Sequence, residues 1–183
     1  MAKQITFALA KGRLAEQALA LLEAVGVPVE GVRHPGRKLV IESGDGAWRF
    51  ILVKPSDVPT YVEYGVADIG VVGKDTLMEE NKPLYELLDL GFGACTLCVC
   101  GFAEKRERAA THSNFRVATK YPNIARSLYD ARGESIEIIK LNGSVELGPL
   151  VGLSDVILDI VESGGTLRAN GLTVLEKVAE VSA

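Results

Sequence analysis

Apolar residues fall in short runs, separated by segments in which they recur at helical spacing. The run at 5–9, ITFAL, reads as a buried strand. Gly12 breaks it, and Leu14, Ala18, Leu21, Leu22 and Val25 then mark one helix face until Gly26-Val27-Pro28 stops it. Segments 38–42 and 49–53 read as strands about a Gly44-Asp45-Gly46 turn. A helix starts at Pro55-Ser56 and reaches about Tyr64, a strand containing IGVV spans 68–72, and a short helix spans 74–80. Segment 84–93 ends in Gly91-Phe92-Gly93, the expected crossing between two lobes. Strands follow at 96–101 and 115–119, separated by a charged stretch at 104–108. A helix at 122–132 has Pro122 in its first turn, and a strand follows at 136–141. The most apolar strand of the second half lies at 156–161. A short helix opens at Gly164 and stops at Asn170-Gly171, and 172–181 alternates as a final strand.

Strands alternating with helices imply an α/β fold with mainly parallel sheets, in which ligands sit at the carboxyl ends of strands. No internal repeat or low-complexity segment is visible. With 183 residues, 48% hydrophobic and 24% charged, the chain can bury a core without a disulfide or structural metal. The net charge of −4 excludes an overall basic nucleic-acid footprint but not a local basic pocket. The longest uncharged stretch, 90–103, contains three glycines and falls short of the ~20 residues a membrane span needs. The start, MAKQITFALAKGR, lacks the pattern of a secretory signal, so a cytoplasmic location is expected.

Three cysteines, Cys95, Cys98 and Cys100, lie in one segment. On a strand Cys98 and Cys100 share a face and Cys95 points away, and only His34 and His112 could complete a zinc site. Core cysteines and two surface histidines are therefore expected, with no function attached to either set.

The segment V156-I-L-D-I-V-E-S-G-G-T-L167 carries the most chemistry. A strand delivers Asp159 and Glu162, and Ser163-Gly164-Gly165-Thr166 opens a helix. Adjacent glycines let backbone N–H groups converge and leave room for a bulky anion, while the two hydroxyls add donors. Such a loop suits a terminal phosphate, and the neighbouring carboxylates suit a sugar diol or magnesium. Phosphate, ribose diol and magnesium together describe phosphoribosyl pyrophosphate. No Gly-Lys-Ser/Thr follows, so the loop is not of the Walker type. The plainer reading is an N-capped helix after a core strand, with Ser163 as the cap.

Five stretches stand out in order: FALAKGRLAEQALALLE, VKPSDVPTYVEYGVADIGVVGKDTL, YELLDLGFGACTL, RVATKYPNIAR and IIKLNGSVELGPLVGLSDVILDIVESGGTLRANGL. In these, and in their order, the chain resembles the ATP phosphoribosyltransferase family in its short, catalytic-subunit form. The resemblance implies transfer of phosphoribosyl from phosphoribosyl pyrophosphate to N1 of ATP, releasing pyrophosphate, with magnesium (Mg2+) present. That reaction is the first step of histidine biosynthesis. It also implies a two-lobed fold of the periplasmic-binding-protein type II, with the active site in the inter-lobe cleft. The expected division is 1–91 plus 171–183 for the first lobe and 92–170 for the second.

Both implied substrates are polyanions, so a locally basic site is expected. By family position Arg13 and Arg37 are the catalytic candidates, stabilising charge on the departing pyrophosphate. Lys11, Lys54 and Asp68 are expected on the ATP side, with Lys38 a further basic candidate. Phosphoribosyl pyrophosphate is expected to meet Glu146, Asp159, Glu162, Ser163, Gly164, Gly165 and Thr166. No protein ligand set for the metal is assigned, and no general base is required, since adenine N1 already carries a free lone pair. Glu146 reads equally as an acid in the first turn of a helix capped by Ser144, and Asp68 as a turn residue. Stopping at Ala183, the chain is expected to lack a regulatory domain. The family implies a separate regulatory subunit resembling histidyl-tRNA synthetase, in a hetero-octamer containing homodimers of the catalytic subunit. A two-lobed binding module, or a phosphoribosyltransferase using another base, are the alternatives.

Overall fold

The computed structural model describes residues 4–105 and 115–183. They form two compact units: the first runs to Gly93 and regains Ser182–Ala183, and the second is Ala94–Val181. His112 and the end of the charged 104–108 stretch lie outside the described residues.

In the first unit β1 (Ile5–Ala10), α1 (Arg13–Ala24), α2 (Glu30–Arg33), β2 (Val40–Glu42), β3 (Trp48–Val53), α3 (Val58–Glu63), β4 (Ile69–Val71) and α4 (Lys74–Glu80) follow in order. The sheet order is β2-β3-β1-β4. β1 lies parallel to β3 and β4, while β2 returns antiparallel on β3. Both faces of β1 are covered. Phe7 and Leu9 pack with Ala18, Leu19, Phe50 and Leu52, and Ala8 and Ala10 belong to a second cluster with Val58, Ala67 and Val72. Covering on two sides is what makes 5–9 read as a continuous apolar run. The short α2 gave no periodic signal, since Val32 alone among its residues is buried.

Ser182 and Ala183 are bonded into this unit. Lys74 N–H donates to the Ser182 carbonyl and Leu90 N–H to the Ala183 carbonyl, each at 2.8 Å, and Ala183 N–H donates to the Phe92 carbonyl at 2.9 Å. The Ser182 hydroxyl donates to Asp89 at 2.8 Å.

The second unit contains β5 (Cys95–Gly101), β6 (Phe115–Thr119), α5 (Pro122–Asp130), β7 (Ile136–Lys140), α6 (Leu147–Leu150), β8 (Val156–Val161), α7 (Gly165–Ala169) and β9 (Thr173–Val181). The sheet order is β7-β6-β8-β5-β9. β6 is parallel to β7 and β8, whereas β5 runs antiparallel to β8 and β9. The sheets are thus mixed, each with three neighbouring parallel strands on one side, β3-β1-β4 and β7-β6-β8.

The structure differs from the division expected from sequence. Residues 171–183 were assigned to the first lobe, but β9 pairs with β5 from Cys95↔Val181 to Gly101↔Thr173, within the second unit. Only Ser182–Ala183 return. Alternation identifies a strand but not the sheet it joins.

Cys98 and Cys100 are buried with Ala118, Ile157 and Leu167, Cys95 is half-buried, and His34 is exposed. Among the described residues no helix is long and apolar enough to cross a membrane.

Candidate functional site

The first unit gathers its basic residues at one edge. β1 and β3 end in step, Ala10 opposite Val53, so Lys11 and Lys54 leave the sheet side by side. Lys11 N–H donates to the Val53 carbonyl at 3.2 Å. Gly12 then adopts φ 110° and ψ −160°, a conformation side-chain-bearing residues avoid, and Arg13 opens the twelve-residue α1. Because β2 is antiparallel, its beginning lies at this same edge, and Leu52 N–H reaches the Leu39 carbonyl at 2.9 Å. Arg37 and Lys38 occupy the turn just before it, where Lys38 N–H donates to the Pro35 carbonyl at 2.9 Å. Lys11, Arg13, Arg37, Lys38 and Lys54 are all exposed. Five cations beside the positive end of a long helix form a surface that attracts anions.

Asp68 does not join them. It precedes β4 at the amino edge, where its carboxylate accepts the Thr6 N–H at 2.9 Å. Its own N–H donates to the Thr6 carbonyl at 2.9 Å. One oxygen of its carboxylate is thus engaged by the backbone of a neighbouring strand, at the edge away from the cations.

A pocket of about 350 Å³ also lies in this unit, lined mainly by apolar side chains such as Leu21, Leu22, Val62, Leu77 and Leu87. None of the five cations lines it. Tyr85, Leu87 and Leu88 at its margin are 93%, 77% and 72% exposed.

In the second unit β6 and β7 end together, Thr119 opposite Lys140, while β8 lies level with them at Leu158 and runs on to Val161 along β5. The buried Thr119 ties these ends. Its hydroxyl donates to the Leu158 carbonyl at 2.7 Å and accepts the Tyr121 N–H at 2.8 Å. Its carbonyl accepts the Leu141 N–H at 3.0 Å. The loops at 120–121, 141–146 and 162–164 therefore emerge at one edge.

Asp159, half-buried on β8, accepts the Ile160 N–H at 2.8 Å. Val145 and Leu167 pack with Cys98 and Cys100 in one cluster, which holds the loop of Glu146 against that of Gly164. Burial pushes the Cys100 thiol up to about 12, and the neighbouring charges of Asp159 and Glu146 push the same way. On the sheet Asp159 lies opposite Cys98. Glu162, Ser163, Gly165 and Thr166 are exposed or at the loop surface, with Gly164 at φ 69° just before α7.

Two capping expectations differ. Ser163 is not the cap of α7, because Gly164 occupies that position, and its hydroxyl only reaches the Gly165 N–H at 3.4 Å. Ser144 does not cap α6 through its side chain. It stands at φ 48°, its carbonyl accepts the Leu147 N–H at 3.1 Å, and Glu146 precedes the helix. Sequence reasoning also missed Thr119 and Arg168. The Arg168 guanidinium bends back from α7 and donates to the Ser163 carbonyl at 3.0 Å. Its spacing four residues after Gly164 was the available signal.

The family model HisG: ATP phosphoribosyltransferase matches residues 54–183. An ATP phosphoribosyltransferase of Lachnospira eligens is 55% identical over 183 residues, spanning 99% of this chain and 85% of that protein. One from Caldicellulosiruptor bescii is 53% identical over 180 residues, spanning 98% and 86%. Among solved structures, the ATP phosphoribosyl transferase (HisG:HisZ) complex from Thermotoga maritima superimposes with a TM-score of 0.84 at 35% identity, covering 98% of this chain and 85% of that one. The arginine-, lysine-, histidine-binding protein ArtJ of Geobacillus stearothermophilus is 11% identical with a TM-score of 0.54, covering 98% and 82%. That likeness is one of fold alone, the two-lobed α/β fold of periplasmic binding proteins.

Proposed function

The chain belongs to the ATP phosphoribosyltransferase family, and from that premise we propose how its residues share the work. The enzyme transfers the 5-phosphoribosyl group of phosphoribosyl pyrophosphate to N1 of ATP, forming N1-(5-phosphoribosyl)-ATP and pyrophosphate in the first step of histidine biosynthesis. The observation that carries the site reading is the loop after β8. Asp159 lies opposite Cys98, whose cluster also holds Val145 from the loop of Glu146 and Leu167 from the helix after the glycine pair, whose first member has φ 69°.

Ser163, Gly164, Gly165 and Thr166 receive the terminal phosphate through backbone N–H groups and hydroxyls. Asp159 binds the ribose diol, with Glu146 and Glu162 contributing to ribose or metal. Lys11 and Lys54 bind ATP phosphates. Arg13 and Arg37 meet the pyrophosphate, where a planar guanidinium engages two oxygens at once. As the bond from the anomeric carbon to pyrophosphate breaks, negative charge grows on the leaving group, and donors already in position lower the barrier. The adenine N1 lone pair forms the new bond, so the acids position the sugar instead of removing a proton.

Magnesium is the expected metal. Among the described residues no three His, Cys, Asp or Glu gather around one point. Glu146 fits as a protein contact, because magnesium commonly takes one or two carboxylates together with substrate phosphate oxygens. When bound it supplies charge neutralisation on the pyrophosphate.

The proposed partners are a second catalytic subunit and a regulatory subunit resembling histidyl-tRNA synthetase, in a hetero-octamer. The exposed Tyr85, Leu87 and Leu88 support assembly, since large apolar side chains left in water are commonly covered by a partner. A cytoplasmic location goes with this reading, where ATP and phosphoribosyl pyrophosphate are made. The test is incubation with ATP, phosphoribosyl pyrophosphate and magnesium, following phosphoribosyl-ATP by ultraviolet absorbance. Product should form only with both substrates. Binding of either without turnover would make the chain a binding module.

A further inference from the structure

We propose that Arg168 is a positioning residue for the phosphate loop: its guanidinium fixes the Ser163–Gly164 peptide and supplies the positive charge that the loop otherwise lacks. The inference rests on the reading of 163–166 as a phosphate site. From Val156 to Asn170 the charged residues are Asp159, Glu162 and Arg168, so Arg168 is the single cation of the segment. A phosphate dianion beside two carboxylates needs a compensating positive charge, and no lysine or second arginine in the loop provides it.

The geometry places that charge behind the loop, on the carbonyl side of the peptide. Helical side chains lean toward the amino end, so a residue four positions after Gly164 covers the loop. Arg168 Nη1 donates to the Ser163 carbonyl at 3.0 Å. In a trans peptide the N–H points opposite to the C=O, so holding the Ser163 carbonyl turns the Gly164 N–H away from the guanidinium. Nη1 also lies 3.1 Å from where a Cβ on Gly164 would stand. A side chain there would press on the guanidinium as well as strain a backbone at φ 69°. Gly164 is therefore required twice, once for its conformation and once to admit Arg168. A guanidinium carries five donors, and this carbonyl uses one.

The test compares the full chain with Arg168→Ala, Arg168→Gln and Arg168→Lys. Calorimetric titration with phosphoribosyl pyrophosphate, ribose 5-phosphate and ATP is run beside steady-state kinetics. Arg168→Ala and Arg168→Gln should weaken phosphoribosyl pyrophosphate and ribose 5-phosphate by about 10- to 100-fold, the effect of losing a hydrogen bond to a charged group. ATP affinity should hold, and Arg168→Lys should recover part of the loss. Unchanged ribose 5-phosphate affinity in a folded Arg168→Ala or Arg168→Gln chain overturns the proposal. So does an equal loss for ATP, or a fall in kcat with no change in KM. Gly164→Val separates the two readings: if it binds ribose 5-phosphate normally, the phosphate-site reading falls and the inference with it. If it does not bind while Arg168→Ala binds normally, only the inference falls. Failure of the parent chain to bind ribose 5-phosphate or phosphoribosyl pyrophosphate overturns both.

Discussion

Asp155 and Arg116 hold one another by two hydrogen bonds: Asp155 N–H donates to the Arg116 carbonyl at 2.9 Å, and Arg116 N–H donates to the Asp155 carboxylate at 3.0 Å. Asp68 and Thr6 make the same pair of bonds in the first unit. In each unit an aspartate just before a parallel strand seals the amino edge, leaving the carboxyl edge for ligands. Burial disfavours the Asp155 charge, but Lys105, the Arg116 N–H and the Arg116 guanidinium outweigh it and hold the carboxyl below its ordinary 3.8. Its contribution is present above pH 4 and is lost as pH falls through the lowered folded value. Asp155→Ala should cost about 1–3 kcal/mol by leaving the Arg116 N–H unmet, without changing substrate affinity. Urea melts at pH 7 and pH 3 check this, with the gap between variant and parent narrowing at the lower pH.

Arg13→Ala and Arg37→Ala should each lower kcat by roughly 10²–10³, the effect of removing one donor that stabilises developing charge. Steady-state kinetics decide the matter. Changes confined to KM would remove both arginines from the leaving group.

The chain with Gly164→Val and Gly165→Val together should lose phosphoribosyl pyrophosphate binding while keeping ATP binding. A β-branched side chain occupies the phosphate's space, and at Gly164 it also resists φ 69°. Calorimetry on the folded double variant, with circular dichroism to establish folding, reads both affinities.

Burial raises the Cys100 thiol from 9.0 and the Tyr129 hydroxyl from 10.0, each to about 12. An unfolded chain releases these protons earlier, so stability should be intact below pH 9 and decline as pH rises toward 12. Tyr129→Phe should flatten part of that decline. At pH 8 iodoacetamide should leave Cys98 and Cys100 unmodified in the native chain and label both in urea, read by mass spectrometry.

Leu87→Lys with Leu88→Lys should leave the melting temperature within about 2 °C, since both residues are exposed, while abolishing assembly. Sedimentation of the chain alone and mixed with its regulatory partner measures this. The chain alone should be insensitive to histidine, and sensitivity should appear on adding the partner.

The basic edge was legible because Gly12 and the helical spacing from Leu14 announce a strand-to-helix turn, and cations follow such turns in an anion site. The loop at 163–166 was legible for its glycine pair. The role of Asp68 was hidden, because a carboxylate beside a strand faces ligand or backbone according to which end it occupies and which strand lies next to it. Thr119 was hidden for a related reason: a threonine ending an apolar strand reads as β-propensity until the neighbouring Leu158 carbonyl is known. The partnership of β9 depends on long-range pairing that no local pattern records. Arg168 was hidden because a cation in the last turn of a short helix commonly meets that helix's own end carbonyls.

The bonds from Lys74 and Leu90 to Ser182 and Ala183 also set an order of events during synthesis. The first unit reaches Gly93 early but receives its last two residues only after 94–181 have been translated. At ribosomal elongation rates that wait is on the order of ten seconds. Throughout it the backbone groups of Lys74, Leu90 and Phe92 are without those partners, and the nascent first unit is a species that chaperones and proteases meet before the finished one exists.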